Sequence, residues 1–297
     1  MKDINYSIII PHKNSAALLE RCIKSIPQRE DLEIIVVDDN SNDIEAVKKV
    51  IEKFKKAILL NNKGFGAGGA RNTALLQANG KWIVFADADD YFVPDFLNVL
   101  DSYLDKDIDI VYHPALAVDS NTLEPLPELL NKHNLYFEEY KADNFTTDQI
   151  KYRLHSPWWK MVKRDFLMKY SIKFEEVPKG NDIFFSFQIG FFTKKIAIDR
   201  HPIYVHTYNR NGISYGKKTV EIRLNSLIQR YKVNEFYSLI GHPEWKKNVL
   251  HNFYEIMKYD GVGLCFKTFI SFLMNFHRIQ SGKNLYVESL ENRNNVS

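Results

Sequence analysis

GFGAGGARNTALLQANGKWIVFADADDY, residues 64–91, reads as a glycine-rich loop, a short helix and the apolar strand Trp82–Ala86, which runs into three carboxylates. Asp87 and Asp89 stand two residues apart in the turn leaving that strand. Both can therefore converge on one hard divalent cation, which takes oxygen ligands and keeps positions open for water and phosphate. Taken alone, an Asp-x-Asp pair is more often a turn or a cap, and Asp90 precedes a helix expected from about Pro94 to Leu104. Position reverses the balance. The acids lie at the carboxyl end of an interior strand of an alternating α/β pattern, the edge where open parallel sheets bind ligands.

Upstream the pattern is regular. Tyr6–Ile10 is an apolar β-branched run, followed by Pro11, a polar turn and a helix from about Ser15 with Leu18, Leu19, Cys22, Ile23 and Ile26 at helical spacing. Leu32–Val37 reads as a buried parallel strand ending in Asp38-Asp39. Asp43 can cap a helix that presents Val47, Val50, Ile51 and Phe54, and Ala57–Leu60 is the next strand. Ile108–Tyr112 continues the series. Strands alternating with helices predict an α/β fold with a mostly parallel, doubly wound sheet.

The order YSIIIPHKN, IIVVDDNSND and GGARNTALLQANGKWIVFADADD resembles the nucleotide-binding half of family-2 glycosyltransferases. Downstream, Ser156-Pro157-Trp158-Trp159-Lys160 with Lys163–Leu167 resembles that family's acceptor-side segment. Lys179–Phe185 resembles its E-D-x-x-F catalytic motif, with Asn181 in place of the usual Glu, and Pro202 through Ser214 resembles the segment that closes the domain. The resemblance covers about residues 4 to 215. It implies a GT-A fold with flanking helices, a C-terminal helical extension, a UDP-sugar donor and a glycan or lipid-linked glycan acceptor. It also implies Mn2+ or Mg2+ as cofactor, inversion at the anomeric carbon, and a setting in surface polysaccharide synthesis. The expected division is 1–112 for nucleotide-sugar binding, 113–216 for acceptor binding and catalysis, and 217–297 for the helical extension.

Carried over residue by residue, the resemblance places Pro11 and Asn14 at the uracil end, gives Asp39 a hydrogen bond from the base and sends Arg71 to the nucleotide. Asp87 contacts ribose or metal, and Asp89 ligates the metal through the diphosphate. Plain chemistry agrees, since Asp39 follows a strand end and Arg71 brings a charged donor fork to a helix start suited to anions. On spacing alone Asp39 also fits the Asx-turn run Asp38–Asp43, and Arg71 fits a surface helix charge. His206, in the expected strand Ile203–Tyr208, completes the metal shell in some relatives; imidazole suits manganese better than magnesium, and a structural histidine is the other reading. Asp182 is the implied general base, lying before the apolar run Ile183–Phe192, where a carboxylate can also simply cap a helix. Trp158 and Trp159 are acceptor-binding candidates; neighbours on an extended segment face opposite ways, so one is core and one a platform for a sugar ring.

The remaining sequence sets limits. At 297 residues, with 45% hydrophobic and 26% charged, the chain can bury one large core or two domains. Its beginning lacks the pattern of a signal peptide, no run reaches the ~18 apolar residues of a membrane span, and Cys22 and Cys265 are distant singletons. A cytoplasmic protein is expected, with no nucleic-acid partner. Pro114–Thr147 lacks a pattern and reads as an insertion or loop region. Residues 217–297 hold 12 Lys+Arg against 7 Asp+Glu, whereas the first 216 hold 28 against 30. Within that basic tail Gly261–Phe276 is strongly apolar, which fits either a helix packed on a core or one lying at an anionic membrane surface, peripheral at its inner face. Two other functions compete. Gly64–Gly69 satisfies G-x-G-x-x-G with Asp89 20 residues beyond Gly69, as in an NAD-dependent oxidoreductase, and a noncatalytic sugar- or nucleotide-binding protein could keep the fold.

Overall fold

The computed structural model describes residues 3–209 and 218–270. They fall into a larger unit, 3–177 with 181–209, and a smaller one, 178–180 with 218–270. The larger unit opens with β1 (Tyr6–His12), α1 (Ala16–Lys24), β2 (Leu32–Asp38), α2 (Ile44–Ile51), β3 (Ala57–Asn61), α3 (Gly66–Leu75) and β4 (Trp82–Phe85). It continues through β5 (Tyr91–Phe92), α4 (Phe96–Asp101), β6 (Ile110–Tyr112) and β7 (Ala115–Asp119). Next come α5 (Asn131–Glu138), α6 (Asn144–Arg153), β8 (Lys160–Lys163), α7 (Arg164–Lys169), α8 (Ile183–Phe192), β9 (Ile196–Ile198) and β10 (Tyr204–Tyr208).

Seven strands form one sheet in the order β3-β2-β1-β4-β8-β6-β9, and β5-β10-β7 form a second. β1, β2, β3 and β4 run parallel, and β8 runs antiparallel between β4 and β6. The central strands are buried on both faces, which is why β1 and β2 read as nearly unbroken apolar runs. Register then decides what meets at the carboxyl edge. His12 pairs with Asp38, and Ile9 pairs with Phe85, so the turns after β1, β2 and β4 emerge together. Because β8 is antiparallel, its first residue, Lys160, lies opposite Tyr112 at the end of β6 and joins the same edge.

The helices obey the sequence signals where those were strong. Asp43 caps α2 by accepting from Ala46 N at 3.0 Å, and α1 buries Leu19, Cys22 and Ile23. α8 is apolar all round and buries Phe184, Phe185, Phe187, Ile189 and Phe192. Phe185 stacks on Phe174 at 3.7 Å between ring centroids and meets the edge of Phe85 at 5.5 Å. At roughly 1.5–3 kcal/mol per buried large apolar side chain, this anchors the helix firmly.

Two expectations need correction. The helix expected from Pro94 to Leu104 is only Phe96–Asp101, begins after Asp95 in a left-handed conformation, and takes no cap from Asp90. Pro114–Thr147 is no structureless loop, because it holds β7, α5 and the start of α6, capped by Asp143. The smaller unit contains α9 (Val220–Leu239), α10 (Leu250–Asp260) and helical residues 262–270. Leu227, Phe253 and Ile256 form its small core, with Leu264 and Cys265 against them. The rest of the expected helix, 271–276, lies outside the described residues. Among the described residues no helix is long and apolar enough to cross a membrane.

Candidate active site

The turns at the carboxyl edge are laced together. His12 Nε2 accepts from Ser15 N at 3.1 Å, so its Nδ1 carries the proton and donates to Asp38 Oδ1 at 2.9 Å. Ser41 Oγ accepts from Asn14 N at 2.8 Å, and Asn14 Oδ1 accepts from Asn42 N at 2.8 Å. Asn14, with φ 52, therefore joins the turn after β1 to the turn after β2. Pro11 is buried within β1 beside Val37. Asp39 does not cap α2; it accepts from Asn62 Nδ2 at 2.6 Å and from Lys13 Nζ at 3.2 Å.

Arg71 is not a surface charge. Its side chain is 6% exposed, pairing with Asp87 Oδ1 at 2.5 Å and donating to Asn181 Oδ1 at 2.8 Å. It thus bridges the acid turn and the segment that leads into α8. Asp89 has an exposed side chain, while its backbone carbonyl accepts from Arg21 and from Thr207 Oγ1. Although the residue reaches solvent, the bulk of protein around the turn, and next the charges of Asp90 and Asp87, raise its pKa. Three acids crowded this way favour a cation.

Asp90 plays a part the sequence did not disclose. It is 1% exposed and accepts from Tyr204 Oη at 2.8 Å, Thr207 N at 2.6 Å and Thr207 Oγ1 at 3.2 Å, which fastens β10 to the acid turn. His206 Nδ1 lies 3.3 Å from Asp90 Oδ2. Burial alone would lower the His206 pKa, but the bond to Asp90 and the charges of Asp90, Asp87 and Asp89 outweigh it and raise it. Trp158 stacks on Tyr204 and His206, at 5.2 and 5.6 Å, while Trp159 lies over Phe137 at 5.9 Å. Both tryptophans are buried, at 7% and 3%, so neither is an open platform.

Asp182 sits in the N-cap position of α8 but makes no capping bond with its side chain. Desolvation raises its pKa, Asp87 adds to the rise, and Arg71 and Lys160 oppose it. A carboxylate free of a capping bond, its proton affinity raised by burial, is suited to take a proton. Glu176, another carboxylate of this segment, is engaged elsewhere, accepting from Phe65 N at 2.9 Å.

The glycine loop has a role different from a phosphate cradle. A Cβ on Gly68 would lie 2.0 Å from the Glu175 carbonyl oxygen, and one on Gly64 would lie 2.6 Å from Glu176 Oε2. The glycines admit the 174–176 strand of chain against α3, and Glu176 already occupies the helix start. Among the described residues no three His, Cys, Asp or Glu side chains gather as a complete metal cage. Asp87 and Asp89 instead fit a cation such as Mg2+ or Mn2+, which takes few protein carboxylates and completes its shell with water and phosphate.

Comparison with known proteins bears on the fold and the family. The model of the family described as glycosyl transferase family 2 matches residues 7–171. The chain is 22% identical over 243 residues to the putative glycosyltransferase EpsH of Bacillus subtilis, covering 78% of this chain and 65% of EpsH. It is 28% identical over 224 residues to the cholesterol galactosyltransferase of Borreliella burgdorferi, covering 70% and 61%. The chain thus spans about two thirds or less of these relatives' lengths. The crystal structure of Staphylococcus aureus TarS 1–349 with UDP-GlcNAc superposes with a TM-score of 0.59 at 21% identity, over 78% of this chain and 70% of that one. The GT-A fold expected from the sequence is therefore present, and the oxidoreductase reading of Gly64–Gly69 is not favoured. The chain belongs to glycosyl transferase family 2.

Proposed function

We propose that this protein is an inverting glycosyltransferase that moves a sugar from a UDP-sugar to a hydroxyl of a glycan or lipid-linked glycan, with Asp182 as general base. The observation that carries the reading is the Asp182 carboxylate at the start of α8, uncapped and coupled through Asn181 and Arg71 to Asp87. As the acceptor oxygen attacks the anomeric carbon, its proton passes to Asp182 while the bond to the diphosphate breaks on the opposite face, which inverts configuration. Positioned proton transfer of this kind is typically worth ~10²–10⁴-fold.

Asp89, with Asp87 and with His206 as a further ligand, would hold Mn2+ or Mg2+, which neutralises charge on the departing UDP. Pro11, Asn14 and Asp39 bound the space for the base. Trp158 and Trp159 shape the acceptor side from beneath, as a packed aromatic pair 4.4 Å apart. In this reading residues 1–112 bind the donor, 113–216 bind the acceptor and complete catalysis, and 217–297 form a helical extension. The setting is surface polysaccharide or glycolipid synthesis; the name of the cholesterol galactosyltransferase relative gives it a lipid acceptor, which supports the lipid-linked alternative. The test is hydrolysis of UDP-GlcNAc, UDP-Glc and UDP-Gal with Mn2+, with Mg2+ and with EDTA. Metal-dependent release of UDP from at least one donor is expected; thermal stabilisation by NAD with no response to UDP and metal would contradict it.

A peripheral membrane contact is favoured by the smaller unit. Leu250, Val262 and Phe266 are 64%, 70% and 63% exposed and line one apolar hollow with Phe253 and Phe269. The nearby acids Glu244, Glu255 and Asp260 are paired with His242, Lys218 and Arg223, whereas Lys246, Lys258 and Lys267 are exposed. That combination suits an anionic bilayer, each basic residue adding about 1 kcal/mol near the surface. Sedimentation with phosphatidylglycerol vesicles that is unchanged in Phe266→Glu would exclude this face.

A further inference from the structure

Lys160 opens β8 and is 1% exposed, an ammonium buried in the large sheet. Its Nζ donates to Ser186 Oγ at 2.7 Å, to Leu154 O at 2.8 Å and more weakly towards His155 O at 3.5 Å. An ammonium has three protons, and the site offers three acceptors, all of them uncharged. Ser186 in turn donates to His155 O, and its own N–H closes the first turn of α8 on Asp182 O at 3.0 Å. The chain from 154 to 160 carries Trp158 and Trp159. Lys160 therefore ties the tryptophan segment to the helix start that bears Asp182.

Stability does not by itself explain a lysine here, since replacing a buried charge with an apolar side chain of similar size is often neutral or stabilising. The electrostatic setting does. The leading charged groups that act on Asp182 are Arg71 from α3, Asp87 from the turn after β4 and Lys160 from β8. Arg71, ion-paired with Asp87, is the larger of the two positive charges that favour the ionised form. Lys160 has only neutral hydrogen-bond partners, and its charge adds to that of Arg71 in favouring the ionised form of Asp182.

We infer that Lys160 is a positioning residue for the base: it locks the first turn of α8 against the tryptophan segment and holds a positive charge behind Asp182. The inference rests on Asp182 being the general base. Burial lowers the Lys160 pKa to about 7, with Asp182 opposing the fall, so the charge is present on the acid side of neutrality, and there it favours the ionised Asp182.

The test uses the full chain and the best hydrolysed of UDP-GlcNAc, UDP-Glc and UDP-Gal. Lys160→Met should lower kcat roughly tenfold, leave donor KM within about twofold, and move the acid limb of the kcat–pH profile up by about one unit. Ser186→Ala keeps the charge but cuts the link, so kcat should fall about threefold with the acid limb unmoved. A folded Lys160→Met with parental kcat and an unmoved acid limb overturns the inference. So does a fall in kcat matched by a rise in donor KM with the limb unmoved, the signature of general loosening. Should Lys160→Met not fold, parental turnover in Ser186→Ala overturns it instead. Asp182→Asn run alongside separates the two claims: near-parental turnover there removes the base itself, whereas an inactive Asp182→Asn with an unaltered Lys160→Met removes only the positioning role.

Discussion

The two sides of Arg71 are built differently. On the side proposed to bind the donor, His12 and Asp38 end parallel strands and Asp39 and the Asp87–Asp90 turn follow such strands, so register brings them together and side-chain bonds such as His12–Asp38 and Asn62–Asp39 then lace them. On the acceptor side, Trp158, Lys160, Asn181 and Asp182 come from an antiparallel strand, a short turn and a helix start, and side-chain bonds hold them. A site that strand register also holds keeps its backbone in place when one side chain is lost. A site fixed by a few side-chain bonds does not, so substitutions on the acceptor side should alter turnover while leaving donor binding nearly intact.

The largest expected effect is at Asp182. Asp182→Asn keeps size and helix position but cannot take a proton, and turnover should fall ~10²-fold or more with donor affinity little changed. Steady-state kinetics at saturating donor checks this, and near-parental turnover would move the base elsewhere.

Next is Gly68→Ala. The added Cβ would meet the Glu175 carbonyl at 2.0 Å, and Glu175 N donates to Asn181 O at 3.1 Å, so relief of the clash pulls on the catalytic segment. Overpacking of this kind costs about 1–3 kcal/mol, measurable as a lower urea midpoint together with reduced turnover. An unshifted midpoint would show that the 174–176 chain is loosely held.

The smallest expected effect is a slope in stability with pH. Lys160 has a folded pKa lowered to about 7, below its unfolded value of ~10.4, so the unfolded chain binds more protons between these limits. Its burial cost is fully present below pH 7 and is relieved as pH rises towards 10. Urea midpoints from pH 7 to pH 9 should therefore rise in the parent relative to Lys160→Met; parallel curves would mean that Lys160 stays protonated in the folded chain throughout.

The donor side was largely legible because the same residues carry two signals. Apolar β-branched runs announce buried strands, and acids placed directly after them announce the ligand edge. The place of Asp182 at the start of α8 was legible for a similar reason, since the apolar run Ile183–Phe192 marks where the helix begins. Asp90 and Lys160 were not, because their partners Thr207 and Ser186 lie far away in sequence. The 114–147 region escaped for want of contrast: α5 buries Tyr136 and Phe137, and α6 buries Ile150 and Tyr152, too few apolar positions to set a helical period. Trp158 and Trp159 were expected to face opposite ways, yet a 3-10 turn at Pro157–Trp159 puts their rings side by side.

Calorimetric titration of UDP with Mn2+ into the parent, Asp182→Asn and Asp89→Asn tests the separation of the two sides most directly. The account predicts that Asp182→Asn binds UDP within about threefold of the parent, while Asp89→Asn loses the manganese-dependent part of the affinity, tenfold or more, ~1.4 kcal/mol or above. Equal losses in both variants, or a parental titration in Asp89→Asn, would contradict it.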